Sequence, residues 1–197
     1  MGAAPVRFVA AVIVASAGAI ASCGASPEPV ATPVFTPPDG APAGYLDAGQ
    51  AFDVERRTLV VFGGYHPTGA AGEQNIFGAT WEWDGQRWTQ RADDGPSPRH
   101  GMGFAYDPNR RSTILYGGYG ACGGGGLDCC GDTWAWNGTS WSELNAGGPG
   151  ALRSAKLVWD AAREVLVLVG GVTCEDPPQP NRAVWRFDGA TWREGTP

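Results

Sequence analysis

The chain has 197 residues, with 14 basic and 20 acidic side chains and a formal net charge of −6. That balance argues against nucleic-acid binding, whose footprint is a basic patch. Lys156 is the only lysine, and the abundance of Ala, Gly, Pro and Arg reads as coding bias and not as function.

Residues 1–22 join an early Arg7, an apolar stretch from Phe8 to Ile20 and a small-residue ending. This is the pattern of a secretory signal, too short for a stable membrane span. Ile20-Ala21-Ser22-Cys23 resembles the lipobox of bacterial lipoproteins. The resemblance implies cleavage before Cys23 and lipidation of Cys23, which would anchor an extracytoplasmic product stably in the cell envelope. Residues 23–43 carry Pro27, Pro29, Pro33, Pro37, Pro38 and Pro42. They are expected to run as a polyproline-like tether of roughly 3.1 Å per residue. No other stretch is long and apolar enough to span a bilayer.

Residues 44–197 form the folded part, and it repeats one phrase three times. Trp81-Glu82-Trp83-Asp84-Gly85-Gln86-Arg87-Trp88 returns as Trp134-Ala135-Trp136-Asn137-Gly138-Thr139-Ser140-Trp141 and as Trp185-Arg186-Phe187-Asp188-Gly189-Ala190-Thr191-Trp192. A period of about fifty residues is near the length of a four-stranded propeller blade. The copies occupy about 45–94, 99–147 and 153–197. Each opens with a strand ending in an aromatic-Asp pair, Phe52-Asp53, Tyr106-Asp107 or Trp159-Asp160. After a polar turn comes a nearly continuous apolar strand, such as Leu59-Val60-Val61-Phe62, which reads as covered on both faces.

The diglycines Gly63-Gly64, Gly117-Gly118 and Gly170-Gly171 are expected to end that second strand, where a Cβ would obstruct a turn or a close backbone approach. The third strand carries Trp81 and Trp83, Trp134 and Trp136, or Trp185 and Phe187. Asp84-Gly85, Asn137-Gly138 and Asp188-Gly189 then predict type I′ hairpins. Trp88, Trp141 and Trp192 follow on the fourth strand. Eight of the nine tryptophans lie in these hairpins, and they are read as inter-blade core.

With Pro98-Arg99-His100-Gly101 added, this set of linked spacings resembles the kelch repeat, from Tyr45 to about Trp192. The resemblance implies an all-β fold of three four-stranded antiparallel propeller blades, and binding of protein partners through the loops. Two departures are plain: the repeat's arginine aligns as Arg99 and Arg153 but as Tyr45 in the first copy, and Phe187 replaces a tryptophan. Closed propellers have 4–8 blades, so three leave two apolar flanks. Truncation is the first expectation; a homodimer completing a six-bladed ring or a partner covering the flanks are the others.

Meander topology puts the short turns on one face and the long connections on the other, which is the candidate binding face for a protein or glycan. Residues 65–79 offer His66, Glu73 and Asn75; 119–131 offer Tyr119 and Asp128; 172–183 offer Glu175, Asp176 and Arg182; and 92–98 offer Asp93 and Asp94. The acidic pairs read as solvated loop charges, with calcium or a basic partner as the alternative.

Cys122, Cys129, Cys130 and Cys174 are an even set in an exported domain, which favours disulfides. One bridge is expected from Cys122 to Cys129 or Cys130, and one between blades to Cys174. Zinc is the alternative, though no paired CxxC spacing supports it. No catalytic constellation and no cofactor site can be assembled: two histidines, His66 and His100, do not make a galactose-oxidase-like copper site. The Asp84-Gly85 order also differs from the sialidase Asp box. A remnant of a carbohydrate-active propeller enzyme and a purely structural envelope protein are the rival readings to a non-catalytic binding module.

Overall fold

The computed structural model describes residues 41–42, 46–67, 74–122 and 126–195. The signal segment, Cys23, the tether apart from Ala41 and Pro42, Tyr45 and Glu73 lie outside them. The described residues contain no helix and fifteen strands, thirteen in three successive antiparallel sheets and two in a separate small hairpin. The first blade runs β1 (Gly49–Asp53), β2 (Thr58–Phe62), β5 (Thr80–Trp83) and β6 (Trp88–Ala92), in that spatial order. A small hairpin, β3 (Tyr65–Pro67) with β4 (Gln74–Ile76), rises from its β2–β5 connection. The second blade has an inner strand in two pieces, β7 (Arg99–His100) and β8 (Gly103–Asp107), both paired with β9 (Ser112–Gly120). Next come β10 (Asp128–Trp136) and β11 (Trp141–Leu144). The third blade is β12 (Arg153–Asp160), β13 (Val165–Val172), β14 (Val184–Phe187) and β15 (Trp192–Gly195).

Three details depart from the sequence reading. The diglycine does not end the second strand in two of the blades, because β9 and β13 continue through Gly117-Gly118 and Gly170-Gly171. Its glycines take left-handed φ values, +64° and +110° at Gly117 and Gly118, which bends the strand without ending it. That bend brings the next blade into contact: Gly64 N–H donates to the Arg99 carbonyl at 2.9 Å and Gly118 N–H to the Leu152 carbonyl at 2.8 Å.

The Asp/Asn-Gly loops are not two-residue type I′ turns. Trp83 pairs with Trp88 and Trp136 with Trp141, so four residues form each loop, and only the glycine has positive φ. A type I′ turn needs two such residues. Here the side chain of Asp84 accepts the amides of Gln86 and Arg87 at 2.8 and 2.9 Å, and Asn137 and Asp188 do the same in their loops. This local capping supports the wider loop.

The third departure is one of register. Arg99 and Arg153 align in sequence, yet His100 pairs with Tyr119 and Arg153 with Val172. Arg153 therefore occupies the place of His100, and Arg99 that of Leu152.

The inner strands β1, β8 and β12 pack side by side. The core lies between blades. Val60, Phe62, Phe104, Leu115 and Trp136 fill the first boundary; Ile114, Tyr116, Leu166, Leu168, Phe187 and Trp192 fill the second. Of the hairpin tryptophans, Trp136 and Trp192 are buried inter-blade core, and Trp134, Trp141 and Trp185 pack against it. Trp81, Trp83 and Trp88 of the first blade are half-buried outside both clusters. Two of the core set also reach across a boundary by hydrogen bond. Trp141 Nε1 donates to Thr80 Oγ1 at 2.8 Å, and Trp192 Nε1 to Thr133 Oγ1 at 3.0 Å. Such N–H groups need partners once buried.

Candidate functional site

The long connections meet at one end of the inner strands. There β9 and β10 extend past the diglycine bend; β10 carries Cys129 and Cys130, and Cys122 lies in the connection that follows β9. Consecutive strand residues point to opposite faces, so Cys129 and Cys130 diverge. Cys130 bonds Cys122 in its own loop and Cys129 bonds Cys174 in the next blade, with Cα separations of 5.4 and 5.5 Å. The second bridge ties together the loops of two blades. Asp128, Cys129 and Cys174 place ligand atoms within 4.8 Å of one another, and in this pairing both sulfurs belong to the disulfide.

Beside this bridge lies a hollow of about 420 Å³ lined by His100, Tyr119, Leu127, Asp128, Arg153, Cys174 and Pro178. Arg153 starts β12, and its guanidinium sits 5.6 Å over the Tyr119 ring, a cation–π arrangement. Its Nε is buried and has no hydrogen-bond partner, and among the described residues Arg153 forms no salt bridge. His100 starts from the neighbouring blade. Its Nδ1 is 3.3 Å from Asp47 Oδ2, its ring lies 4.6 Å from Tyr65 and 5.7 Å from Tyr119, and its Nε2 is buried and unpartnered. Buried polar atoms without partners are unusual in a folded protein. His100 Nε2 and Arg153 Nε are two such atoms on residues that line one hollow together with Asp128. Arg153 forms no salt bridge with that carboxylate, an arrangement able to hold a hydroxylated or anionic group.

Arg99, one residue earlier in the chain, has a different role. It is almost fully buried, 1% exposed, and its guanidinium forks onto both oxygens of Asp132, with Nη2 to Oδ2 at 2.9 Å. It also donates to the carbonyls of Ser97 and Gly117. Burial pushes the Asp132 carboxyl upward, but the Arg99 fork outweighs it and holds the group below its ordinary value. Arg99 is structural.

The residues expected at this face separate in space. Tyr119 and Asp128 line the hollow; Glu175 lines an adjoining depression of about 350 Å³ with Asp128 and Cys174. His66 and Asn75 face each other across β3–β4 and are exposed. Asp93, Asp94, Asp176 and Arg182 are exposed and line neither hollow. His100 and Arg153 were not expected as site residues. The one usable signal was their shared offset, six residues before the aromatic-Asp pairs Tyr106-Asp107 and Trp159-Asp160. A larger groove of about 620 Å³ runs along the inner strands among Phe52, Val54, Phe104, Tyr106, Val158 and Trp159. Its lining is apolar, and it presents no unpartnered polar side chain of the kind at Arg153.

No protein-family model matches the sequence, and no curated protein matches it. Among solved structures the chain is similar to one titled "Structure of YjhT", at 16% identity and a TM-score of 0.59, over 76% of this chain and 51% of that one. The chain thus spans about half the length of that structure. At this identity the likeness speaks for the fold alone: all-β, built of four-stranded antiparallel propeller blades.

Proposed function

We infer that this is a kelch-type, non-catalytic binding module of the bacterial cell envelope, anchored through lipidated Cys23, that engages a protein or glycan carrying an acidic group through its long-loop face. One observation carries the reading: Arg153, stacked on Tyr119 beside the inter-blade disulfide, lines a polar hollow and has no carboxylate partner among the described residues. An arginine held over an aromatic ring presents its terminal N–H groups in a fixed plane, suited to a carboxylate. The kelch assignment rests on the repeat's linked spacings, and the envelope location on the lipobox resemblance and the two disulfides. The non-catalytic reading rests on a histidine complement of two, His66 and His100.

The test is a glycan array of neutral and uronate-bearing oligosaccharides, probed with the labelled full chain. Acidic glycans should bind. Arg153→Gln should weaken binding about tenfold or more, the cost of one charge-assisted hydrogen bond. Arg87→Gln, on the short-turn face, should leave it unchanged. Binding that survives Arg153→Gln, or that is lost through Arg87→Gln, contradicts the reading.

A further inference from the structure

Both internal blade boundaries use one set of contacts, and the two outer faces carry the two unmatched halves of that set. At each boundary a glycine of the bent second strand meets a carbonyl from the next blade. A Cβ at Gly63 would collide with the Arg99 carbonyl and one at Gly117 with the Leu152 carbonyl, whereas Gly170 has nothing within 4 Å. The arginine of each short inner turn lies on the glycine loop of the next blade. Arg56 packs on the loop of Gly138 and Arg110 on that of Gly189, while Gly85 has nothing within 4 Å and Arg163, the third such arginine, is 66% exposed.

The mouth of the inner strands repeats the pattern in backbone. Asp47, Gly101 and Ser154 share a left-handed φ, and Gly101 N–H donates to Asp47 O at 3.0 Å and Ser154 N–H to Gly101 O at 2.7 Å. Unmatched apolar residues complete the picture. Phe52 is 52% exposed on the first blade, in the position that Tyr106 fills at the first boundary; Val158 and Val169 are 53% and 37% exposed on the third.

We propose that a second copy of this chain docks its first blade on the third blade of the first copy, and reciprocally, so that two copies close a six-bladed ring. The pairing follows from the positions. Arg163 of one copy lies on the Asp84-Gly85 loop of the other, a charge match with Asp84. Asp47 N–H reaches the Ser154 carbonyl. Glu82, which accepts Trp136 Nε1 at 3.0 Å across the first boundary, is replaced at the third by Arg186. The incoming indole is Trp83, and an arginine over an indole is a favourable pair. Val184 stands where Thr80 and Thr133 accept indole N–H groups, so Trp88 finds no hydroxyl there.

The boundary between copies is therefore weaker than the internal ones and dissociates first. The two-fold arrangement uses each outer face once and leaves none open. Six blades fall within the range of closed propellers.

Sedimentation velocity of the full chain in non-ionic detergent, over a concentration series, tests this. The expected result is a reversible dimer of twice the 20.6 kDa chain mass. Phe52→Asp on the first blade and Val158→Asp on the third, both at exposed positions, should each raise the dissociation constant about tenfold or more while near-ultraviolet circular dichroism stays native. A monomer at every concentration, a larger open oligomer, or a dimer indifferent to both substitutions overturns the proposal.

Discussion

Asp132 and Arg99 show what a single residue's register decides. Arg99 is sealed in the second blade with a carboxylate across it, and Arg153 is left facing a hollow; a one-position offset separates a structural arginine from a candidate ligand-binding one. In the sequence only the count to the following aromatic-Asp pair separates the two arginines, seven residues from Arg99 to Tyr106 and six from Arg153 to Trp159, and the pairing of Arg153 with Val172 gives that offset its meaning. The Asp132 carboxyl is held below its ordinary value of 3.8. A depressed carboxylate contributes stability that is present above the unfolded value and is lost as pH falls through the folded one. Thermal stability should therefore hold from neutral pH to about pH 4 and decline below it. Asp132→Asn leaves Arg99 buried and uncompensated, at a cost of about 3 kcal/mol at neutral pH. Its melting temperature should fall less steeply in acid than that of the wild type. Calorimetry across pH checks both, and equal acid slopes for the two proteins would exclude this role for the pair.

At the scale of strands, the aromatic hairpins were legible because they combine period-two tryptophans with a loop signal, and both survive in the fold. The loop's size was not legible: Asp-Gly and Asn-Gly fit a two-residue type I′ turn as well as a four-residue loop capped by the Asp or Asn side chain. The diglycine was read correctly as a close approach, with the approaching atom belonging to the next blade, and as a strand end it holds in the first blade but not in the second and third. The cysteine pairing follows from alternation along β10, which sends neighbours 129 and 130 to opposite sides. The Cys129–Cys174 bridge spans 45 residues, and loop-closure entropy gives it about 4 kcal/mol. Cys129→Ser with Cys174→Ser should lower denaturant stability by roughly that amount and expose the 173–183 connection to protease. Unchanged stability would mean that the inter-blade packing alone holds these loops.

For the whole molecule, repetition dominates. Three copies of one phrase announced blades, and the structure assembles them with their apolar content between blades and their chemistry at one end. His100 and Arg153 were not legible as a pair, since they lie 53 positions apart and meet only because inner strands of adjacent blades start side by side. The central claim is that the long-loop end, not the short-turn end, is the working face. Site-specific photo-crosslinking in living bacteria tests it most directly. A benzophenone amino acid would replace Leu127, which lines the hollow and is 47% exposed, and in a second strain Gln86 on the short-turn face. The account predicts covalent adducts from position 127 that disappear with Arg153→Gln, and none from position 86. Adducts from position 86 with none from position 127 would contradict it.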